Sequence, residues 1–272
     1  MPCSACFRSG LRLLAGALLV GLGACRRAPA PEPSTIPLQT KADSVAWAVY
    51  QSVGGPTVWS QVPFLRFDFR SASPEDTARR PPRRHLWDRR GGAYRLEMTR
   101  GDSAIIVLFN TGTRAGTVYI NGTATADTSF QRRTLQRAYA SFINDAYWTF
   151  MPTKLFDPGV TRTYVADSST AARDVIQTSF QNVGLTPGDR YWLYVDRASG
   201  RLDGWRYHLE GDSTAGPFIR WTGWQTFETP HGPAMVATRH EFPNGRVIHT
   251  EALAVPQTVN PELFTNPAAR LE

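Results

Sequence analysis

Short stretches in which apolar and polar residues alternate recur along most of the chain. Every second side chain is apolar in Leu65 to Phe69, Tyr94 to Met98 and Trp205 to Leu209. A period of two is typical of β-strands with one buried face. Dipeptides that favour tight turns lie between such stretches: Gly91-Gly92, Asn121-Gly122, Ser199-Gly200 and Asn244-Gly245. Because strands joined by tight turns pair antiparallel, the sequence predicts an antiparallel sheet.

Two stretches have helical spacing instead. Lys41 to Val53 carries apolar residues at that spacing, with Thr40 placed to cap its start and Gly54-Gly55 to end it. Gln131 to Tyr147 has one apolar stripe, and Pro152 follows it. With about ten to twelve strands, these features predict a mainly β (α+β) fold. We expect a single curved antiparallel sheet that forms a half-open barrel around two helices and presents a concave face.

The first 24 residues have the features of a bacterial lipoprotein signal peptide. Arg8 and Arg12 precede a short apolar stretch, Leu13 to Ala24, which is too short to span a bilayer. The stretch ends in Leu22-Gly23-Ala24-Cys25, which resembles a lipobox, the motif whose cysteine is acylated and becomes the new N-terminus. The alternatives are a cleaved signal with an incidental cysteine and a weak membrane anchor.

The next residues predict a tether. Residues 26–38 contain four prolines, which favour extended polyproline segments and do not build a packed core. The expected organisation is a signal peptide (1–24), an acylated Cys25 with a proline-rich tether (25–40) and a folded domain (41–272). This organisation predicts a lipid-anchored protein of the bacterial cell envelope. Arg26 is not the acidic residue of an inner-membrane retention signal, so the resemblance to Gram-negative lipoproteins implies the periplasmic face of the outer membrane.

The composition argues against several classes of function. All three cysteines lie in the first 25 residues, which excludes a disulfide scaffold and any cysteine-based site from the body of the chain. The sequence lacks the motifs of serine hydrolases, zinc peptidases, P-loop proteins and dinucleotide-binding domains. The net charge is +7, but no basic and aromatic cluster resembles a nucleic-acid-binding module. We therefore expect a non-enzymatic protein without cofactor or nucleic-acid partner.

Histidines give no clear metal site. His240 and His249 are nearly symmetric about the Asn244-Gly245 turn and could meet across a hairpin. Two ligands without a third do not make a metal site, so no metal is predicted.

Two longer segments carry a resemblance to a known family. Residues 143–160 read INDAYWTFMPTKLFDPGV, and residues 180–194 read FQNVGLTPGDRYWLY. From about residue 42 to residue 256 the chain resembles a family of uncharacterised bacterial lipoproteins with the half-open barrel of the LolA/LolB type. This resemblance implies a concave apolar cavity that takes the acyl chains of lipoproteins or other lipids. The functional residues of a lipoprotein chaperone have no obvious match in this chain.

Aromatic side chains are the candidate ligand contacts. The chain has eight tryptophans and nine tyrosines, whose rings combine an apolar body with a polar tip. Core packing is the alternative role for each of them. Lys154 could pair with an anionic head group or with Asp157. The candidate contacts are Tyr147, Trp148, Lys154, Trp192, Trp205, Tyr207 and Trp221.

These features favour a membrane-anchored protein that binds a lipid or another hydrophobic ligand. One alternative is an interaction module that serves as a scaffold for a protein partner in envelope assembly. Its concave face would be filled by its own side chains. The other is a hydrolase whose site is assembled from distant residues, such as His208 with acidic neighbours.

Overall fold

A computed structural model describes residues 38–76, 80–181 and 183–271 of the chain. Within these residues thirteen strands form one antiparallel sheet, which is not closed. The strands are β1 (Phe64–Ala72), β2 (Arg83–Asp88), β3 (Ala93–Arg100), β4 (Ser103–Asn110), β5 (Gly116–Ile120), β6 (Thr123–Ala124), β7 (Val160–Tyr164), β8 (Arg173–Phe180), β9 (Arg190–Asp196), β10 (Leu202–His208), β11 (Ile219–Thr229), β12 (Gly232–Glu241) and β13 (Val247–Ala254). The number exceeds the predicted ten to twelve, and β6 is a strand of two residues.

The strand order results from two meanders that meet in the centre of the sheet. The order is β6-β5-β4-β3-β2-β1-β13-β12-β11-β10-β9-β8-β7. In the central pair, Phe69 lies opposite Thr250 and Ser71 opposite Ile248. Each of the four predicted turn dipeptides joins two neighbouring strands. The predicted fold class, a mainly β protein with a single antiparallel sheet in a curved half-open barrel, is confirmed.

The first helix, α1 (Lys41–Ser52), matches the prediction to within one residue. Its start is fixed by a capping box, in which the Thr40 hydroxyl accepts from the Asp43 backbone N–H and the Asp43 carboxylate accepts from the Thr40 backbone N–H. Gly54 follows with a φ of 114°. A Cβ at Gly54 would lie 2.7 Å from a backbone oxygen of β12, so the turn requires glycine. The turn leads into α2 (Gly55–Trp59), a short helix that the sequence did not predict.

The long helix α3 (Thr128–Phe150) connects the two meanders and packs against β4, β5 and β12. It extends beyond the predicted 131–147 at both ends. At its start the Asp127 side chain accepts a hydrogen bond from the Phe130 backbone N–H. At its end the chain continues into one turn of 3-10 helix, Met151–Lys154. Ala138, Phe142 and Ala146, from the predicted apolar stripe, are buried.

Aromatic rings make up much of the core around α3. The Tyr94 ring lies 4.8 Å from that of Phe142 and 5.1 Å from that of Phe109, measured between centroids. Trp59 meets Phe150 at 5.8 Å. Full burial of a large apolar side chain contributes about 1.5–3 kcal/mol, so this face stabilises the sheet and the helix together.

The buried Arg95 holds the C-terminal segment against the sheet, together with Arg84, which donates to the backbone oxygen of Leu271. The Arg95 side chain, on β3, is 1% exposed and donates to the backbone oxygens of Leu263 and Ala269, at 3.0 and 2.6 Å. It also forms an ion pair with Glu97 at 2.6 Å. No local pattern around Arg95 indicates this contact, because its partners are about 170 residues away along the chain.

The N-terminal predictions fall outside this structure. The signal peptide, Cys25 and most of the tether lie outside the described residues. Among the described helices, none combines the length and the hydropathy needed to cross a membrane.

Candidate functional site

A cavity of about 600 Å³ lies between α3 and the sheet. Its walls come from α3, from the central strands β1 and β13, and from β8 to β10. Binding sites for small molecules have volumes of about 300–1,000 Å³ and are mostly apolar, so the size of the cavity suits a ligand.

One face of α3 forms the first wall. The cavity is lined there by Ala140, Ile143, Asn144, Tyr147 and Trp148. These residues are three or four positions apart and therefore project from the same side of a helix.

Packed aromatic rings form the floor of the cavity, one pair stacked and the others edge-to-face. The Trp205 ring lies 5.7 Å from that of Tyr147 and 4.6 Å from that of Trp148. Behind it, Trp221 lies 5.0 Å from Trp205. Trp205 is fully buried and Trp221 is 3% exposed, so these two indoles support the cavity without lining it.

Tyrosines from the sheet form the opposite wall. The ring of Tyr191, on β9, lies 5.1 Å from that of Tyr147, and the ring of Tyr207, on β10, lies 6.1 Å from that of Trp148. Burial raises the pKa of Tyr147, Tyr191 and Tyr207. A tyrosine hydroxyl is already neutral at physiological pH, and the raised pKa keeps these three neutral at higher pH as well, so they can donate or accept hydrogen bonds beside the apolar surface.

The mouth of the cavity has an apolar side. Leu185 and Leu209 line it, and they are 48% and 39% exposed. Beneath them the buried Asp189 carboxylate accepts from the Thr186 hydroxyl at 2.6 Å and from the Glu210 backbone N–H at 2.8 Å. These bonds hold the turn between β8 and β9 at the rim.

The other side of the mouth carries two arginines, Arg83 and Arg246. Arg246, in the turn between β12 and β13, donates from Nε to the Ser71 hydroxyl at 2.9 Å. Its guanidinium group lies 4.6 Å from the centre of the Phe242 ring. The guanidinium of Arg83 lies 5.2 Å from the centre of the Phe69 ring.

A buried carboxylate, Asp145, connects α3 to the sheet next to this mouth. Arg83 grips it with two hydrogen bonds of 2.6 and 2.8 Å. The Nε2 atom of His85 lies 3.1 Å from an Asp145 oxygen, and its Nδ1 atom lies 2.7 Å from the hydroxyl of Tyr94. A neutral His85 with its proton on Nε2 fits both neighbours.

Burial and charge set the ionisation of this network. Burial by itself raises the pKa of Asp145, but His85 and Arg83 outweigh it and hold that pKa below its usual value. Burial lowers the pKa of His85, and the Asp145 carboxylate offsets only part of this effect. Asp145 and His85 are 0% exposed, so these two side chains brace the helix against the sheet, and only Arg83 of this network faces the cavity.

The structure brings together three of the seven candidate contacts. Tyr147, Trp148 and Tyr207 line the cavity. Trp205 and Trp221 lie directly behind its floor, where they have the alternative role of core packing.

The other two candidates lie elsewhere. Lys154 ends the 3-10 turn that follows α3, and its Nζ atom pairs with Asp157 at 3.1 Å beside a separate, small pocket. Trp192 lies between the inward-facing Tyr191 and the buried Leu193, so the alternation of the strand directs its ring to the opposite face of the sheet.

The histidines do not converge. In the β12–β13 pair His240 lies opposite Ile248, whereas His249 lies opposite Arg239, so the two imidazoles are on opposite faces. Nε2 of His208 lies 2.7 Å from the backbone oxygen of Asp212, at an exposed position. Among the described residues, no three histidine, cysteine, aspartate or glutamate side chains form a group that could hold a metal ion.

The two sequence segments that carried the family resemblance meet at this cavity. The first provides Asn144, Tyr147 and Trp148, and the second provides Phe180, Tyr191 and the turn between them. The sequence analysis did not identify Arg83 and Arg246 as cavity residues, because the only local signal for either is an inward position on a strand or a turn. A second depression of about 310 Å³ is lined by charged groups such as Arg173 and Asp203, which pair with each other at 2.9 Å.

Fold and cavity together define the class of the molecule, an open antiparallel sheet that encloses an internal ligand-sized pocket beside a long helix. A solved structure that resembles it is a DUF1329 family protein from Desulfovibrio piger, at 8% sequence identity and a TM-score of 0.38. The match covers 82% of this chain and 96% of that one. No protein family profile and no curated protein matches the sequence. The resemblance to LolA/LolB-type lipoproteins therefore stays a prediction.

Proposed function

We propose that this protein binds a lipid or another hydrophobic ligand in the cavity beside α3, without catalysing a reaction on it. The observation that carries the proposal is the cavity itself, about 600 Å³ with an aromatic floor and neutral tyrosine hydroxyls. A protein that needed α3 only to fill its core would have closed this space, because protein interiors pack densely.

The exposed leucines at the mouth support the same function. Leu185 and Leu209 are two of the three large apolar side chains that are exposed among the described residues, and both line this cavity. Exposed apolar surface costs free energy in water, and its position at the mouth offers an apolar chain a continuous path inward.

The two alternatives have less support. An interaction module with a self-filled concave face does not account for a cavity of this size. A hydrolase needs an accessible base, but His208 bonds to a backbone oxygen and His85 is fully buried.

Filling the cavity should abolish ligand binding. Replacement of Ala140, which lines the helix wall, with tryptophan places an indole inside the space. We expect the affinity for the neutral apolar probe N-phenyl-1-naphthylamine, measured by fluorescence titration, to fall at least about tenfold, because the indole and the probe compete for one volume.

The matched control adds the same ring on the exposed side of α3, by Gln136→Trp. This variant should bind the probe like the wild type. Failure of the wild type to bind the probe, or equal affinities of the two tryptophan variants, would contradict the proposed function.

We further propose that the domain is held at a bacterial envelope membrane, at the periplasmic face of the outer membrane, by a lipid on Cys25. The support is the lipobox-like Leu22-Gly23-Ala24-Cys25 and the proline-rich segment after it.

Cys25→Ala should abolish acylation and release the domain from the membrane fraction. Cell fractionation and mass spectrometry of the mature N-terminus measure both effects. Cys6→Ala is the matched control and should leave the anchor intact, since Cys6 lies within the predicted signal peptide. Normal membrane retention of the Cys25 variant would rule out the lipid anchor.

A further inference from the structure

We propose that the cavity selects an apolar chain that ends in an anionic oxygen group, a carboxylate or a phosphate monoester, and that Arg246 is the main partner of that group, with Arg83 as the second. This inference rests on the proposed function and specifies the chemical class of its ligand.

Arg246 has hydrogen-bonding capacity that the protein does not use. An arginine side chain carries five N–H donors. The described contacts of Arg246 account for one, from Nε to the Ser71 hydroxyl, and no described carboxylate forms an ion pair with it. The Phe242 ring and the Ser71 bond fix the plane of the guanidinium group at the rim. A fixed guanidinium group with free donors beside an apolar space is suited to a bidentate contact with an oxyanion.

Arg83 reaches the same rim from the other side of β1. In the sheet Arg83 lies opposite Phe69, and Arg246 bonds to Ser71, two residues further along the strand. Because residues two apart on a strand share a face, the two arginines flank the end of β1 on its inner side. Arg83 gives two of its five donors to Asp145, and its side chain is 37% exposed. The remaining donors can contact a ligand.

The distribution of charge orients the ligand. Asp145 offsets the charge of Arg83, so Arg246 carries the uncompensated positive charge of this rim. The negative charge of the cavity lining, Asp189, lies in the turn just before β9, and β10 and β11 separate β9 from the β12–β13 hairpin of Arg246 in the sheet order. An anionic head group at Arg246 is therefore close to the attractive guanidinium group and farther from the repulsive Asp189 carboxylate. In this orientation the apolar chain of the ligand points towards the aromatic floor of the cavity.

The test compares ligands that differ only in the head group. Hexadecanoate, hexadecyl phosphate and hexadecanol compete against N-phenyl-1-naphthylamine bound to the wild-type protein. We expect at least one of the two anions to displace the probe about 10- to 100-fold more tightly than the alcohol, and the difference to shrink at high salt. Preference for hexadecanoate assigns a carboxylate ligand, and preference for hexadecyl phosphate assigns a phosphate ligand.

The variant Arg246→Met keeps an apolar stem and removes the charge. It should lose about tenfold in affinity for the preferred anion and keep its affinity for hexadecanol, whereas Arg133→Met, on the exposed side of α3, should change neither. A thermal melt of each variant verifies that it is folded. The comparison of the three ligands on the wild-type protein does not depend on any variant.

Two failures are distinguishable. If the wild type binds the probe but binds the alcohol as tightly as both anions, the head-group inference is wrong and the proposed function stands. The same conclusion follows if Arg246→Met retains the full preference. If the wild type does not bind the probe at all, the proposed function itself fails.

Discussion

Replacement of Asp145 with alanine should lower the free energy of unfolding by about 2–4 kcal/mol, somewhat less than the cost of breaking a fully buried ion pair because Arg83 is 37% exposed. The carboxylate is fully buried and accepts two hydrogen bonds from Arg83, with His85 as its second neighbour on the sheet. Its loss would leave the Nε2 atom of His85 without its buried acceptor. Urea denaturation monitored by tryptophan fluorescence measures the effect.

The matched control is Asp157→Ala. Asp157 also pairs with a cation, Lys154, but its side chain is 47% exposed, and exposed pairs contribute below about 1 kcal/mol. Similar losses for the two variants would show that the buried network does not brace the helix. Asp145→Asn keeps the shape of the side chain and removes its charge, so it separates the electrostatic part of the effect from the packing part.

The Asp145→Ala substitution should also weaken ligand binding. Along α3, Asp145 follows Asn144 and precedes Tyr147 and Trp148, and these three neighbours line the cavity. If its contact with Arg83 fixes α3 against β2, then its loss shifts the helix wall of the cavity and frees the guanidinium group of Arg83.

Acidification from pH 6.5 should destabilise the protein steeply because of His240. This imidazole is fully buried between Trp148 and Trp221, and neither ring nitrogen has a hydrogen-bond partner among the described residues. Burial lowers its pKa from 6.5 to about 3. Between these values the unfolded chain binds a proton that the folded chain does not. The free energy of unfolding should therefore fall by about 1.4 kcal/mol per pH unit, or about 4 kcal/mol over the whole interval.

Two other groups contribute in defined windows. The lowered pKa of His85 acts in the same direction as His240 and starts in the same range. The lowered pKa of Asp145 stabilises the fold above the ordinary value of 3.8, and that contribution is lost only as the pH falls through the folded-state pKa. The lowered pKa values of Glu241 and of other carboxylates act like that of Asp145, in the range below about pH 5, so above this range the two histidines govern the slope.

His240→Leu removes the titration without removing the packing volume. Urea denaturation at several pH values between 6.5 and 4.5 should give a slope smaller than that of the wild type by about 1.4 kcal/mol per pH unit. His231→Leu, in the exposed turn between β11 and β12, is the control and should retain the wild-type slope. An unchanged slope in the His240 variant would mean that this imidazole is not the buried neutral group that the geometry indicates.

Local sequence patterns determined the secondary structure of this protein. The strand around Phe67, the cap at Thr40 and the turn at Asn244-Gly245 each depend on neighbours within a few residues, and each is found as predicted. The polar face of that strand is not fully exposed, however, because Arg66 is buried. Helix ends were less accurate, since Asp127 adds a turn before α3 that the apolar stripe did not show. The sheet is open and antiparallel because the chain offers strands in succession with one long helix between them.

The sequence also identified the two segments that meet at the cavity, but it assigned their residues unevenly. Tyr147, Trp148 and Tyr207 line the space, whereas Trp205 and Trp221 lie behind it. Composition cannot separate these roles, since an aromatic ring on an inward position is suited to both.

Only the tertiary structure decided which charges belong to the site. Lys154 pairs with its near neighbour Asp157, and the mouth is occupied by Arg83 and Arg246. Arg83 meets Asp145 across 62 positions of the chain, and Arg246 meets Ser71 across 175. The periodicity of a strand tells which face a residue occupies. It does not tell which distant residue lies opposite it, because that depends on how the whole sheet curves around α3.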